Sequence, residues 1–93
     1  MKAEIDGNVL ADSTATIAHG GYDYFPPAAV RTEKLEPAPQ TASDLACPHG
    51  VQFYDVVVAG RRYKRAAWAY LAPRPTLATI AGRFGFWEQV RVG

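Results

Sequence analysis

A single cysteine, Cys47, stands among the 93 residues. That excludes an internal disulfide framework and a multi-cysteine zinc site. No apolar run approaches the roughly 20 residues that cross a bilayer as a helix. Met1-Lys2-Ala3-Glu4 has no apolar stretch behind it that reads as a signal peptide. The expectation is a reduced, cytoplasmic protein with no membrane partner. The sequence also lacks a glycine-rich phosphate loop, a close pair of carboxylates for acid–base work, internal repeats and any linker, and no Ser-His-Asp set can be argued from it. Neither sign of charge dominates. The net charge is +1 and the pI is about 7.9, below the roughly 9 of a dedicated nucleic-acid domain. With 48% hydrophobic and 20% charged residues, the composition is globular rather than disordered. The length makes residues 1–93 one domain. Such a chain buries only about two thirds of its unfolded surface, which argues against a multi-lobed active site.

What is present alternates. Ala3 and Ile5 are interleaved with Lys2, Glu4 and Asp6, the period of a strand. Asp6-Gly7 breaks that run and Asn8 to Ser13 resumes it, a hairpin signal because both turn residues tolerate positive φ. Thr14 to Ala18 reads as extended, ending at Gly20-Gly21, and Tyr22 to Phe25 as a strand stopped by Pro26-Pro27. Pro27 to Val30 can start one helical turn. Val30 to Leu35 is read as a strand, being too short for a stable helix. Glu36 to Ser43 is a loop, and Ser43 is positioned to cap a turn through Cys47. Val51–Val58 and Arg61–Tyr70 form the clearest hairpin, about Ala59-Gly60. A two-residue turn there sets Val56 opposite Tyr63 and Asp55 opposite Lys64, a favourable charge pair. A three-residue turn shifts each side chain to the other face. Thr76 to Ala81 reads as a short helix and Arg83 to Val92 as strand. The fold class is mainly β: about seven short, mostly antiparallel strands with one or two helical turns.

Tyr24-Phe25-Pro26, Val30, Leu35-Glu36-Pro37, Cys47-Pro48, Gly50, Tyr54, Ala67-Trp68-x-Tyr70, Pro73, Ile80-Ala81-Gly82 and Phe86 follow one another in a fixed order. That order resembles a bacterial domain-of-unknown-function family, number 427, over nearly the whole chain, from about Ile5 to Val90. The resemblance implies a small, mainly β single domain and implies little about activity. A nucleotidyltransferase-style label travels with the family, but no phosphate loop or paired-carboxylate metal motif supports it in this sequence. The family usually reads Cys-Pro-aromatic-Lys-Gly, whereas here the run is Cys47-Pro48-His49-Gly50. One residue is absent and the lysine with it, so any role of that lysine is either lost or taken in part by His49.

Four groups of residues are candidates for chemistry. Cys47 is a nucleophile or redox centre if His49 serves as base or cation beside it; otherwise it is a small buried hydrophobe. Metal binding needs Cys47, His49, His19 and carboxylates, of which only Cys47-x-His49 is closely spaced, so no metal and no cofactor is expected. The aromatics Tyr22, Tyr24, Phe25, Tyr54, Trp68, Tyr70, Phe86 and Trp87 either line a pocket or fill the core. Trp68 and Tyr70 share a strand face, and a small-molecule or nucleotide site is placed near Tyr24, Arg31, Cys47, Tyr54, Trp68 and Tyr70. Fourth, Arg61, Arg62, Lys64 and Arg65 form a basic strand interleaved with Tyr63, with Arg61, Tyr63 and Arg65 on one face. This suits nucleic acid as a lesser alternative, or an interaction module. The blander reading comes from charge asymmetry. Residues 1–46 carry three basic and seven acidic side chains, residues 47–93 seven basic and two acidic, so the halves neutralise each other on packing. A homodimer also fits a domain of this size, since small domains gain stability by association.

Overall fold

Tight turns set the topology. The structure, a computed structural model, describes residues 1–93. Strand β1 (Lys2–Ile5) turns through Asp6-Gly7 into β2 (Asn8–Asp12). Strand β3 (Ile17–His19) turns through Gly20-Gly21 into β4 (Tyr22–Tyr24), and β6 (Val51–Val58) turns through Ala59-Gly60 into β7 (Arg61–Tyr70). In all three turns both central residues have positive φ, from 48° to 87°, the twist that matches two right-handed strands. Strand β5 (Leu35–Pro37), helix α1 (Ala42–Ala46), β8 (Phe84–Phe86) and β9 (Arg91–Val92) complete the set. The protein is mainly β, as its alternation implies, and every strand pairing is antiparallel.

The strands form three sheets, in the orders β2-β1-β9, β3-β4 and β5-β6-β7-β8. Reciprocal backbone bonds between Phe25 and Phe84, 2.9 and 3.0 Å, hook the β3–β4 ribbon on to β8. Arg31 N donates to Leu10 O at 2.7 Å, tying the stretch after β4 to β2. The four-stranded sheet is packed on both faces. One face carries the main core, with Phe25, Val56, Ala67, Ala69, Phe84 and Phe86. The other carries a smaller cluster of Tyr24, Val51, Trp68 and Ile80, with Cys47, Phe53, Tyr70 and Trp87 against it.

Several local expectations are corrected. Val30 to Leu35 is not a strand. Only Val30 and Leu35 are buried, and residues five apart do not share a strand face. Thr32–Lys34 is instead a 3-10 turn, closed by Lys34 N donating to Arg31 O at 3.0 Å. Leu35 to Pro37, expected as the end of that strand and the start of a loop, is itself β5. Thr41, not Ser43, caps α1. Its hydroxyl accepts from Asp44 N at 3.2 Å, and Asp44 Oδ2 accepts from Thr41 N at 3.0 Å, a capping box that the Thr-x-x-Asp spacing permits.

The β6–β7 register carries the largest correction. Val56 does face Tyr63, but the next pair is Tyr54 with Ala67. The return strand therefore sets Lys64, Arg65 and Ala66 against Asp55 alone, and Asp55 has no single partner. Because the excess is two residues, parity survives for the paired residues on either side of the bulge. Arg65 absorbs the distortion at φ 55°, a region costly for a residue with a Cβ. Its side chain swings over Phe53, 4.0 Å from the ring centroid, on the face opposite the one that takes Tyr63. Arg61, Tyr63 and Arg65 thus do not share a face.

Phe-Gly-Phe in β8 is explained by its partner. Phe84 and Phe86 enter the main core, while Gly85 lies across from Trp68 and under its indole. A Cβ at position 85 falls 2.6 Å from Trp68 Cζ2 and 2.8 Å from Cε2. Trp68 is only 5% exposed and cannot retreat. Gly85→Ala is expected to destabilise the fold by about 1–3 kcal/mol, read as a lower urea midpoint at unchanged slope; an unaltered midpoint contradicts this packing.

Candidate functional site

The smaller cluster opens to solvent as an aromatic cleft. Strand β7 supplies Trp68 and Tyr70, β6 supplies Phe53 directly across from Trp68, β4 supplies Tyr22, and Trp87 follows β8. These five rings line a cavity of about 170 Å³. Tyr22 meets Trp68 at 4.9 Å between centroids and 86° between planes, and Trp87 meets Trp68 at 5.3 Å and 67°. Phe53 stacks on Trp87 at 6.0 Å and 29°. The Trp68 indole N–H is sealed from solvent and makes no hydrogen bond. Burial raises the Tyr24 hydroxyl above its usual pKa; the Trp68 N–H nearby pulls the other way, short of hydrogen-bond geometry.

Arg65 holds one wall of the cleft. Its backbone N–H donates to Asp55 Oδ1 at 3.0 Å, and its carbonyl accepts from Trp87 Nε1 at 2.6 Å. Its guanidinium grips Asp44 through two bonds, 3.0 and 2.8 Å, while lying over Phe53. Paired donors of this kind match a carboxylate well. The Arg65 bonds, with the Thr41 amide, hold the Asp44 carboxyl down at about 2. Burial pushes Asp55 up, but bonds from the Arg65 amide and from Arg62 outweigh it and leave its pKa lowered.

The structure gathers some of the expected site residues and separates others. Trp68 and Tyr70 line the cleft, and Tyr24 stands behind it, edge-on to Trp68 at 5.9 Å. Cys47 is half-buried against the same cluster. Tyr54 lies on the opposite face of the sheet, 5.4 Å from Phe84. Arg31 borders a separate surface hollow with Lys2 and Asp12. Neither belongs to the aromatic cleft. His49 packs edge-on to Tyr70 at 5.8 Å, and its Nδ1 accepts from Arg74 N at 3.1 Å, so that nitrogen is engaged by backbone and not by the Cys47 thiol. No three His, Cys, Asp or Glu side chains converge.

The basic strand is largely paired within the chain. Arg61 lies 3.9 Å from Asp6, Arg62 bridges Glu36 and Asp55 at 3.0 and 2.8 Å, and Arg65 holds Asp44. Tyr63 donates its hydroxyl to Asp6. Lys64 alone has no ion pair. Three of these acids, Asp6, Glu36 and Asp44, come from the acidic first half, so the two halves do neutralise each other.

Phe53 is the residue that sequence reasoning missed, and Tyr22 and Trp87 stood there only among the general aromatics. The signal for Phe53 was available. A two-residue turn at Ala59-Gly60 fixes parity, and parity puts Phe53, not Tyr54, on the face of Trp68.

The fold and the cleft define a small, antiparallel β domain with one aromatic recess on the face away from its main core. The chain belongs to the family described as a domain of unknown function, DUF427, whose profile matches residues 1–93. No curated protein matches it. No helix is long and apolar enough to cross a membrane.

The Asp44 carboxyl titrates at about 2 in the fold and at 3.8 when unperturbed. A depressed folded pKa means that its contribution is complete above the unfolded value and is lost as pH falls from about 4 toward 2. Asp44→Asn is therefore expected to lower the urea midpoint at pH 7 and to converge on the parent protein near pH 2. A gap that stays constant over that range counts against the Arg65–Asp44 pair.

Proposed function

We propose that the domain binds a small organic ligand in the recess formed by Tyr22, Phe53, Trp68, Tyr70 and Trp87. One observation carries the reading: every residue lining the cleft is aromatic. Exposed apolar concavities of this kind are where small domains take ligands. Volume limits the seated group. A cavity of roughly 150 Å³ holds benzene, and this one measures about 170 Å³. A single ring or a compact branched head fits; of a nucleotide, only the base can enter and the remainder must lie outside. The five-ring lining also agrees with a binding module better than with Cys47 chemistry, since the thiol packs behind the cleft rather than lining it. A reducing compartment such as the cytoplasm suits a lone thiol.

Both tryptophans border the recess, so occupancy reads out in their fluorescence. Titration with nucleosides, nucleotides, indoles and small branched metabolites is expected to give saturable quenching by at least one class and a rise in Tm at saturation. Tyr70→Leu is expected to weaken that ligand by about 1 kcal/mol, the scale of one ring contact, while Tyr54→Phe on the opposite face leaves it unchanged. Absence of saturable binding by every class up to millimolar concentration overturns the proposal.

A further inference from the structure

Resting on the reading that this recess is a ligand site, the arrangement of its rings also indicates what shape and charge it takes. Tyr22, Trp68 and Trp87 are mutually inclined. Their planes meet at 86°, 79° and 67°, with centroids 4.9, 6.5 and 5.3 Å apart. Trp68, only 5% exposed, is the floor, and Tyr22 and Trp87, inclined to each other at 79°, complete a corner above it. A flat ring is best held in a slot between two parallel walls about 7 Å apart, two contact distances of roughly 3.5 Å. Phe53 and Trp87, inclined at 29°, are 6.0 Å apart and already stacked on each other, which leaves no slot between them. A corner favours a guest that is nearly spherical and touches every wall at once.

Charge narrows the class. Aromatic faces carry negative potential and attract cations, most strongly on tryptophan. The protein already uses that attraction at Phe53, over which Arg65 sits 4.0 Å from the centroid with its own charge matched by Asp44. No charged side chain lines the recess. A primary ammonium placed there loses hydrogen bonds to water and finds few acceptors in exchange. A fully methylated ammonium has no N–H to satisfy and keeps its charge beneath methyl groups that pack on rings.

We propose that the recess takes the quaternary ammonium head of a small free organic cation, of the choline or betaine kind, with the corner of Tyr22, Trp68 and Trp87 as its seat.

The test titrates the intact chain with tetramethylammonium and choline, following tryptophan fluorescence and the indole N–H resonances, with sodium chloride as the ionic-strength control. The uncharged choline isostere 3,3-dimethylbutan-1-ol and a nucleoside panel are run beside them. Choline is expected to bind about tenfold more tightly than the isostere, within the range of one or two desolvated cation–π contacts. Tyr22 is 38% exposed, so its replacement spares the core. Tyr22→Leu is expected to weaken choline about fivefold, and Tyr22→Phe to retain it. Equal or tighter binding of the isostere overturns the cation assignment. Binding of nucleosides without choline overturns it too and leaves the recess standing as a ring site. Failure of every probe overturns both the assignment and the ligand site beneath it.

Discussion

Arg65 is the residue through which the parts of the site are joined. It sits where β7 carries two residues too many, and it takes the left-handed backbone conformation that this excess requires. That conformation has a cost for any residue bearing a Cβ. The surroundings offset it on four sides: a carboxylate on the amide, an indole on the carbonyl, a second carboxylate on the guanidinium and a ring beneath it. Strand β6 contributes two of these partners, Asp55 and Phe53, helix α1 contributes Asp44, and the segment after β8 contributes Trp87. The orientation of Phe53 and Trp87 therefore depends on an ion pair that neither residue belongs to.

The same geometry accounts for the disposition of charge. Removing two opposite charges from water is costly unless each finds the other with good geometry. The pairs here are graded accordingly. Arg65–Asp44 is bidentate and its carboxylate is covered, whereas Arg61–Asp6 is 3.9 Å long with both side chains open to water. Exposed pairs of the latter sort contribute little. The basic run in β7 is thus chiefly a structural seam with the acidic first half, and Lys64 is the member left over.

Much of this was legible in the order of residues. Two-residue turns at Asp6-Gly7, Gly20-Gly21 and Ala59-Gly60 and the alternation around them specify hairpins by local rules alone. The sharing of one face by Trp68 and Tyr70 follows from the same rules. Other features were hidden for definite reasons. The bulge opposite Asp55 is decided by a bond from the Arg65 amide to a side chain on the neighbouring strand, which no pattern along one strand records. Val30 to Leu35 alternates in chemistry but not in burial. Tyr54 carries a suitable side chain on the wrong side of the sheet, and Arg31 lies at a separate hollow beside Lys2 and Asp12. Trp87 is recruited by a carbonyl more than twenty residues away, a contact that exists only once the bulge has formed.

The outermost strands of the β5-to-β8 sheet and of the ribbon hooked to it are also its shortest. Strand β5 spans Leu35–Pro37, and β3 spans Ile17–His19. Pro37 has no N–H to offer an incoming strand, and Glu36 beside it is engaged by Arg62. A long, flat, apolar border is the template on which proteins zip together into fibrils. Here β5 and β8 flank the long strands β6 and β7 over three residues each, so the outermost strands offer an incoming chain only short stretches. In this sheet the outermost strands are thereby poor templates for growth along the hydrogen-bonding direction.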